Sequence, residues 1–148
     1  MAQLTAEQLQ TIMVEAFPGH SVPRVESVTD EYVLLSQPVD EQHGRPGGTL
    51  SGPTMMMLAD TAAWMAILSQ IGPVLLAVTT SLHIDFLRKP ALRDVMARAR
   101  ILKLGRKLAV ADVEIFSRGE DQLVAKAQVT YSIPSSTAPT ERILSTGQ

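Results

Sequence analysis

One stretch of the chain, residues 53–71 (PTMMMLADTAAWMAILSQI), combines good helix formers with an apolar surface nearly all the way round. A helix of this kind must be buried in a protein core or in a membrane. A membrane span is disfavoured because the stretch reaches only about 19 residues, has Asp60 near its middle and lacks basic flanks. We therefore predict a buried central helix that ends at Gly72-Pro73.

The rest of the chain predicts one more helix and six strands. A capping-box pattern at Thr5–Gln8 opens an amphipathic helix that runs to about Phe17. Runs rich in β-formers at 22–28 and 32–37 precede a loop at 37–48 that is dense in proline and glycine. Period-two alternation predicts four further strands at 78–86, 95–102, 107–117 and 123–131, which we expect to form a meander.

A curved antiparallel sheet has one apolar face and covers part of a central helix. Six short strands give less cover than a helix that is apolar on every side requires. The pattern therefore points to a second subunit.

Composition bounds the class of protein. The 148 residues, of which 45% are hydrophobic and 19% charged, fit a single domain over 1–148. The absence of cysteine excludes disulfides, thiolate metal sites and cysteine nucleophiles, and three scattered histidines predict no metal site. The polar residues 134–148 are expected to form a loose tail. No signal-peptide pattern opens the chain, so a cytoplasmic location is expected.

Charge is unevenly distributed along the chain. Residues 1–85 have a net charge of −7, whereas residues 86–131 have a net charge of +5. A local excess of five positive charges is too small, and six aromatic residues are too few, to predict a nucleic-acid partner. The basic half fits either a small phosphate-bearing ligand or ordinary solvated strand faces.

Asp60 stands out because it is the single charged residue among the 39 that separate Arg45 from Asp85. A carboxylate in an apolar pocket is how enzymes obtain a general acid or base near neutral pH. The alternative is a structural role, in which Asp60 caps a second short helix beginning at Thr61 or accepts hydrogen bonds from nearby amides.

The start of the central helix is a candidate oxyanion site, because free amides and the positive end of the helix dipole lie there. Pro53 has no N–H, so the donors would be Gly52, Thr54 or Met55. The alternative is an ordinary helix start, with Ser51 as the cap and Pro53 in an early helical position.

The spacing of these two features constrains the quaternary structure. Asp60 lies eight residues after Gly52, which is about 12 Å along a helix axis. Reacting groups must approach one another to within roughly 3–3.5 Å. If both residues act on one carbonyl group, they must come from different subunits, and the protein must be a dimer with two composite sites.

The segment 48–62 (GTLSGPTMMMLADTA) resembles the signature of PaaI-like, phenylacetate-degradation-type, hotdog-fold acyl-CoA thioesterases. Segment 79–90 (TTSLHIDFLRKP) and the later strands extend the resemblance over about residues 22–133. It implies an α+β hotdog fold, in which a curved antiparallel sheet wraps a long central helix, here with an extra N-terminal helix. It also implies a homodimer or homotetramer.

The resemblance assigns roles to individual residues. Asp60 corresponds to the catalytic carboxylate, as general base or nucleophile, and the amide of Gly52 to the group that polarises the thioester carbonyl. Thr79 falls where relatives place a hydroxyl near the attacking water. The implied coenzyme A surface comprises Arg88, Lys89, Pro90 and Arg106.

Three positions on the substrate side depart from the family pattern. Ser51 replaces a histidine, Pro53 replaces a glycine, and Arg45 replaces an upstream asparagine. The expected activity is hydrolysis of an acyl-CoA thioester to a carboxylate and CoA, with no cofactor other than the CoA of the substrate. The lost histidine and asparagine are the best support for the alternative, a non-catalytic acyl-CoA-binding or assembly module on the same fold.

Overall fold

The computed structural model describes residues 2–135; most of the predicted tail lies outside these residues. The described chain contains two α-helices, a short 3-10 helix (Glu41–His43) and eight strands. The helices are α1 (Ala6–Ala16) and α2 (Gly52–Ile71). The strands are β1 (Arg24–Val28), β2 (Val33–Gln37), β3 (Gly44–Arg45), β4 (Thr49–Leu50), β5 (Val78–Phe86), β6 (Val95–Leu104), β7 (Leu108–Ser117) and β8 (Leu123–Ser132).

Six strands form one sheet in the order β1-β2-β6-β7-β8-β5, and every neighbouring pair is antiparallel. The inner face of this sheet wraps α2, which contacts β2, β5, β6, β7 and β8. Fully buried side chains along α2 include Leu58, Met65 and Leu68. The predicted central helix inside an antiparallel sheet is therefore confirmed, and each main element ends within two residues of its predicted bounds.

The predicted meander of four strands is wrong. Strand β5 pairs with β8 at the edge of the sheet, and β6 pairs with β2 and β7 in its middle. Alternation of apolar and polar residues defines which face of a strand is buried, but it carries no information about the neighbour with which the strand pairs. Only β6, β7 and β8 form a meander.

Helix α2 runs unbroken through Asp60, so the interpretation of Asp60 as the cap of a second helix is wrong. The helix begins at Gly52, and Ser51 is its N-cap. The predicted loop at 37–48 contains the 3-10 helix and β3, and β3 pairs with β4 just before the chain enters α2. Among the described residues, no helix is long and apolar enough to cross a membrane.

Helix α1 starts with the predicted capping box. The Oγ1 of Thr5 accepts from the Gln8 amide, and the Gln8 side chain accepts from the Thr5 amide. Its buried residues Leu9 and Met13 pack into the core, where α1 contacts β1 and α2. The end of α1 thus lies against the first half of the central helix.

Candidate active site

Asp60 lies halfway along α2, where two hydroxyl groups bind the same carboxylate oxygen. Thr79 Oγ1 donates to Asp60 Oδ1 at 2.7 Å, and Tyr131 OH donates to the same oxygen at 2.7 Å. Thr79 is the second residue of β5 and Tyr131 the last but one of β8, and the two residues are register partners across these strands. The structure therefore brings together Asp60 and Thr79, as the resemblance implies.

Tyr131 is a site residue that sequence reasoning missed. Its side chain is only 5% exposed, and its hydroxyl also donates to the main-chain oxygen of Asp60 at 3.1 Å. A tyrosine on the inward face of a strand needs a partner for its hydroxyl, and this was the signal available in the sequence. Burial, together with the nearby Asp60 carboxylate, raises the pKa of Tyr131 well above its usual value. The hydroxyl therefore remains a neutral donor.

The second carboxylate oxygen of Asp60 is available for chemistry. Within residues 2–135 no hydrogen bond reaches Oδ2, whereas Oδ1 accepts two. The side chain borders a cavity of about 550 Å³, whose other walls include Phe17, Trp64 and Leu75. An open carboxylate oxygen beside an apolar wall is an arrangement that a general base or a nucleophile requires.

The start of α2 leaves one main-chain donor free. Ser51 Oγ accepts from the Thr54 amide at 3.3 Å and lies 2.7 Å from Thr54 Oγ1, so its side chain is engaged as the helix cap. The main-chain oxygen of His43 accepts from the Ser51 amide at 2.8 Å and ties the preceding loop to this helix end. In the part of the chain that the structure describes, the Gly52 amide donates to no acceptor.

A second cavity, of about 610 Å³, lies at this helix start. Gly52 and Pro53 form part of its wall, together with Arg45 from β3 and the segment 86–90 that ends β5. The cavity therefore gathers six of the predicted site residues: Arg45, Gly52, Pro53, Arg88, Lys89 and Pro90. Its three cations form no ion pair within residues 2–135.

Arg106 is not part of this cluster in a single chain. It lies in the turn just before Leu108, whose register partner Ser132 pairs with Val78 at the start of β5. The basic cluster follows Phe86, at the other end of β5. A strand of nine residues separates the two ends by roughly 27 Å.

Asp60 and Gly52 also border different cavities, and these cavities share no lining residue. Within one chain they therefore belong to two separate candidate sites. The basic residues accompany Gly52, and the aromatic and aliphatic walls accompany Asp60. This division agrees with the 12 Å spacing that the sequence requires.

Residues 47–124 match the family described as the Thioesterase superfamily, and the chain belongs to that family. The six-stranded sheet around a central helix is the hotdog fold of these enzymes, and the extra N-terminal helix is present. The protein is therefore a thioester hydrolase of the PaaI-like hotdog class.

Three relatives illustrate the likeness. A Silicibacter sp. TM1040 protein of known structure is 40% identical, with 90% of this chain and 94% of that chain covered and a TM-score of 0.82. Zebra fish thioesterase superfamily member 2 is 28% identical, with 89% and 100% covered and a TM-score of 0.78. Mouse acyl-coenzyme A thioesterase 13 is 27% identical, over 70% of this chain and 74% of its own length.

The raised pKa of Tyr131 predicts a pH dependence of stability. Above about pH 10 the unfolded chain releases the tyrosine proton while the folded chain keeps it. The wild-type free energy of unfolding should therefore fall with rising pH relative to that of Tyr131→Phe, by up to about 1.4 kcal/mol per pH unit. Urea unfolding between about pH 8 and pH 11 measures this difference. Tyr32→Phe is the matched control and should follow wild type; parallel curves for wild type and Tyr131→Phe would contradict the prediction.

Proposed function

We propose that this thioesterase hydrolyses acyl-CoA thioesters and that Asp60 is its catalytic carboxylate. The observation that carries the proposal is the asymmetry of the carboxylate: two hydroxyls donate to Oδ1, whereas Oδ2 has no hydrogen-bond partner among the described residues. Two short hydrogen bonds fix the orientation of the side chain, so Oδ2 has a defined direction of attack. The proposed reaction uses no metal and no cofactor beyond the CoA of the substrate.

Two balanced routes are available to Asp60. As a general base, Oδ2 takes a proton from water while the water oxygen attacks the thioester carbonyl; the tetrahedral intermediate then breaks its C–S bond and the proton passes to the CoA sulfur. As a nucleophile, Oδ2 displaces CoA thiolate to form a mixed anhydride; water hydrolyses the anhydride to the product carboxylate and regenerated Asp60, and one of the protons released passes to the thiolate. Both routes give one carboxylate and one CoA.

The Gly52 amide would stabilise the oxyanion that either route forms. Its N–H finds no acceptor in the described part of the chain and lies at the positive end of a 20-residue helix. Because the amide lies some 12 Å from Asp60 along α2, we propose that each catalytic site combines Asp60 of one subunit with Gly52 of another.

Strand β5 supports this arrangement. It is a nine-residue edge strand with exposed backbone, and its terminal residues Val78 and Phe86 are 57% and 49% exposed. Thr79, at one end, binds Asp60, and Phe86, at the other, lies beside Gly52. Two copies that pair through β5 in antiparallel fashion place the Asp60 end of one subunit beside the Gly52 end of its partner.

The same pairing would gather the basic residues. Arg106 accompanies the Val78 end of β5, so an antiparallel copy carries its Arg106 toward the Arg45, Arg88 and Lys89 cluster. Guanidinium and ammonium groups without carboxylate partners suit the phosphates of coenzyme A. We propose that this composite basic surface holds the CoA portion of the substrate.

Asp60→Asn should lower kcat about a thousandfold, because an amide is a poor base and a poor nucleophile. Free-thiol release from a panel of aryl-, short- and medium-chain acyl-CoAs measures it, with Asp121→Asn in an exposed turn as the control. Turnover that survives Asp60→Asn would refute the mechanism. Thermal protection of wild type by acyl-CoA without hydrolysis would instead favour the non-catalytic binding module.

Tyr131→Phe should lower kcat about ten- to hundredfold with little change in KM, because Asp60 loses one of the two donors that orient it. Tyr131 acts through Asp60 and is a positioning residue. Tyr32→Phe is the matched control, since it removes the chain's other tyrosine hydroxyl. A merely structural role of Tyr131 would lower the melting temperature and leave kcat per folded enzyme unchanged.

Gly52→Pro should lower kcat about 100- to 1000-fold, because it removes the proposed donor at a helix position where proline fits the backbone. Gly52→Ala keeps the N–H, and its Cβ would meet the Phe86 ring at an ordinary 3.4 Å. It therefore serves as the control and should retain activity.

Mixing the two inactive variants tests the composite site. In a hybrid of Asp60→Asn and Gly52→Pro subunits, one of two shared sites contains both intact residues. When equal amounts of the two variants are denatured and refolded together, half of the dimers should be hybrids with one active site of two. The mixture should therefore recover about a quarter of wild-type activity. No recovery from a folded, mixed population would show that both groups act within one chain.

A further inference from the structure

A third cavity, of about 200 Å³, lies between the end of α1 and the first half of α2. Its walls are mainly apolar, with the exposed His20 and Ser21 also bordering it. The apolar walls comprise Met13, Phe17, Val22, Pro23 and Met57, together with Thr61. Nothing in the proposed chemistry uses this cavity.

The small cavity adjoins the Asp60 cavity. Phe17 and Thr61 line both of them. Thr61 Oγ1 donates to the Met57 main-chain oxygen at 2.8 Å, so its polar group is satisfied within α2. Phe17 packs edge-on against Trp64, with ring centroids 6.0 Å apart and an interplanar angle of 75°. The small cavity and the Asp60 cavity therefore meet along a shared, mainly apolar wall.

We propose that this small cavity binds the acyl group of the thioester and that α1 sets the limit on its size. The inference rests on the proposed function, which places the reacting carbonyl at Asp60. The cationic cavity suits CoA phosphates, so the acyl group extends the other way, past Phe17 and Thr61. Phe17 and Met57 are 45% and 40% exposed, and a bound acyl group would remove this apolar surface from water.

The volume of the small cavity indicates the size of acyl group that it can hold. An apolar cavity of about 150 Å³ holds a benzene ring. The cavity here, at about 200 Å³, would hold a phenyl ring with a short arm or a straight chain of about six to eight carbons. Acyl groups up to about this size should then be preferred over long fatty acyl groups.

Adding volume at Val22 tests the cavity. For Val22→Phe, the ratio of kcat/KM for octanoyl-CoA to that for acetyl-CoA should fall at least tenfold, because the longer chain loses its space. Val14→Phe adds the same volume at an exposed position of α1 that borders neither the small cavity nor the Asp60 cavity, and its ratio should stay within about twofold of wild type. Equal ratios in both variants, or a wild-type preference for palmitoyl-CoA, would overturn the proposal.

A substitution that enlarges the small cavity should shift the chain-length preference in the opposite direction. It tests the proposal even if Val22→Phe fails to fold. Met57→Ala should raise the kcat/KM ratio of decanoyl-CoA to hexanoyl-CoA by about tenfold. Met56→Ala is the matched control, because Met56 is its equally exposed neighbour on α2 and lines none of the three cavities. An unchanged ratio in Met57→Ala would overturn the proposal. Phenylacetyl-CoA in both series distinguishes an aryl preference from a straight-chain preference.

Trp64 gives a readout that does not depend on hydrolysis. It is the chain's single tryptophan, and it lines the Asp60 cavity and contacts Phe17. Octanoate and phenylacetate should change its fluorescence in a saturable way, with affinity at least tenfold weaker in Val22→Phe. Such binding in a protein that hydrolyses no acyl-CoA would refute the proposed function and support the pocket. Hydrolysis with unaltered chain-length preference in Val22→Phe would refute the pocket alone.

Discussion

Burial of α2 is the constraint on which the rest of the structure depends. The helix has one charged residue in 20, so most of its circumference needs cover. Small side chains on the helix allow the sheet to approach it closely; Ala59, Ala62 and Ala63 are fully buried. Alanines also dominate the buried face of the middle strands, at Ala97, Ala99, Ala109 and Ala111. Small side chains on both surfaces permit a close approach of the sheet to the helix.

The same constraint makes Asp60 exceptional. A carboxylate on this helix requires donors where the sheet meets it, and neutral hydroxyls from β5 and β8 provide them. A hydroxyl donates a hydrogen bond to a carboxylate oxygen but brings no positive charge. An arginine in the same place would form an ion pair with the carboxylate. Within residues 2–135 the other carboxylate oxygen therefore stays free of hydrogen bonds, as a base or nucleophile needs.

Local patterns predicted the elements and one half of the site, because these depend on neighbours in sequence. The capping box at Thr5, the start of α2 and the isolated charge of Asp60 could all be recognised in this way. The edge position of β5 and the contact of Tyr131 with Asp60 could not, because both depend on pairing between strands distant in sequence. Arg106 shows the same limit: residues in one basic region of the chain lie at opposite ends of β5.

Strand β5 links the quaternary structure to the proposed chemistry. Its two ends carry different halves of the site, an aspartate with apolar walls at one end and a helix amide with cations at the other. An edge strand of this length is a liability unless it is paired, and a two-fold antiparallel pairing removes the liability and joins unlike ends in one step. In the proposed dimer each completed site would contain a cationic side for CoA and an apolar side for the acyl group. Helix α1 would then lie at the far end of the apolar side, where it would affect the choice of acyl group without contacting the reacting atoms.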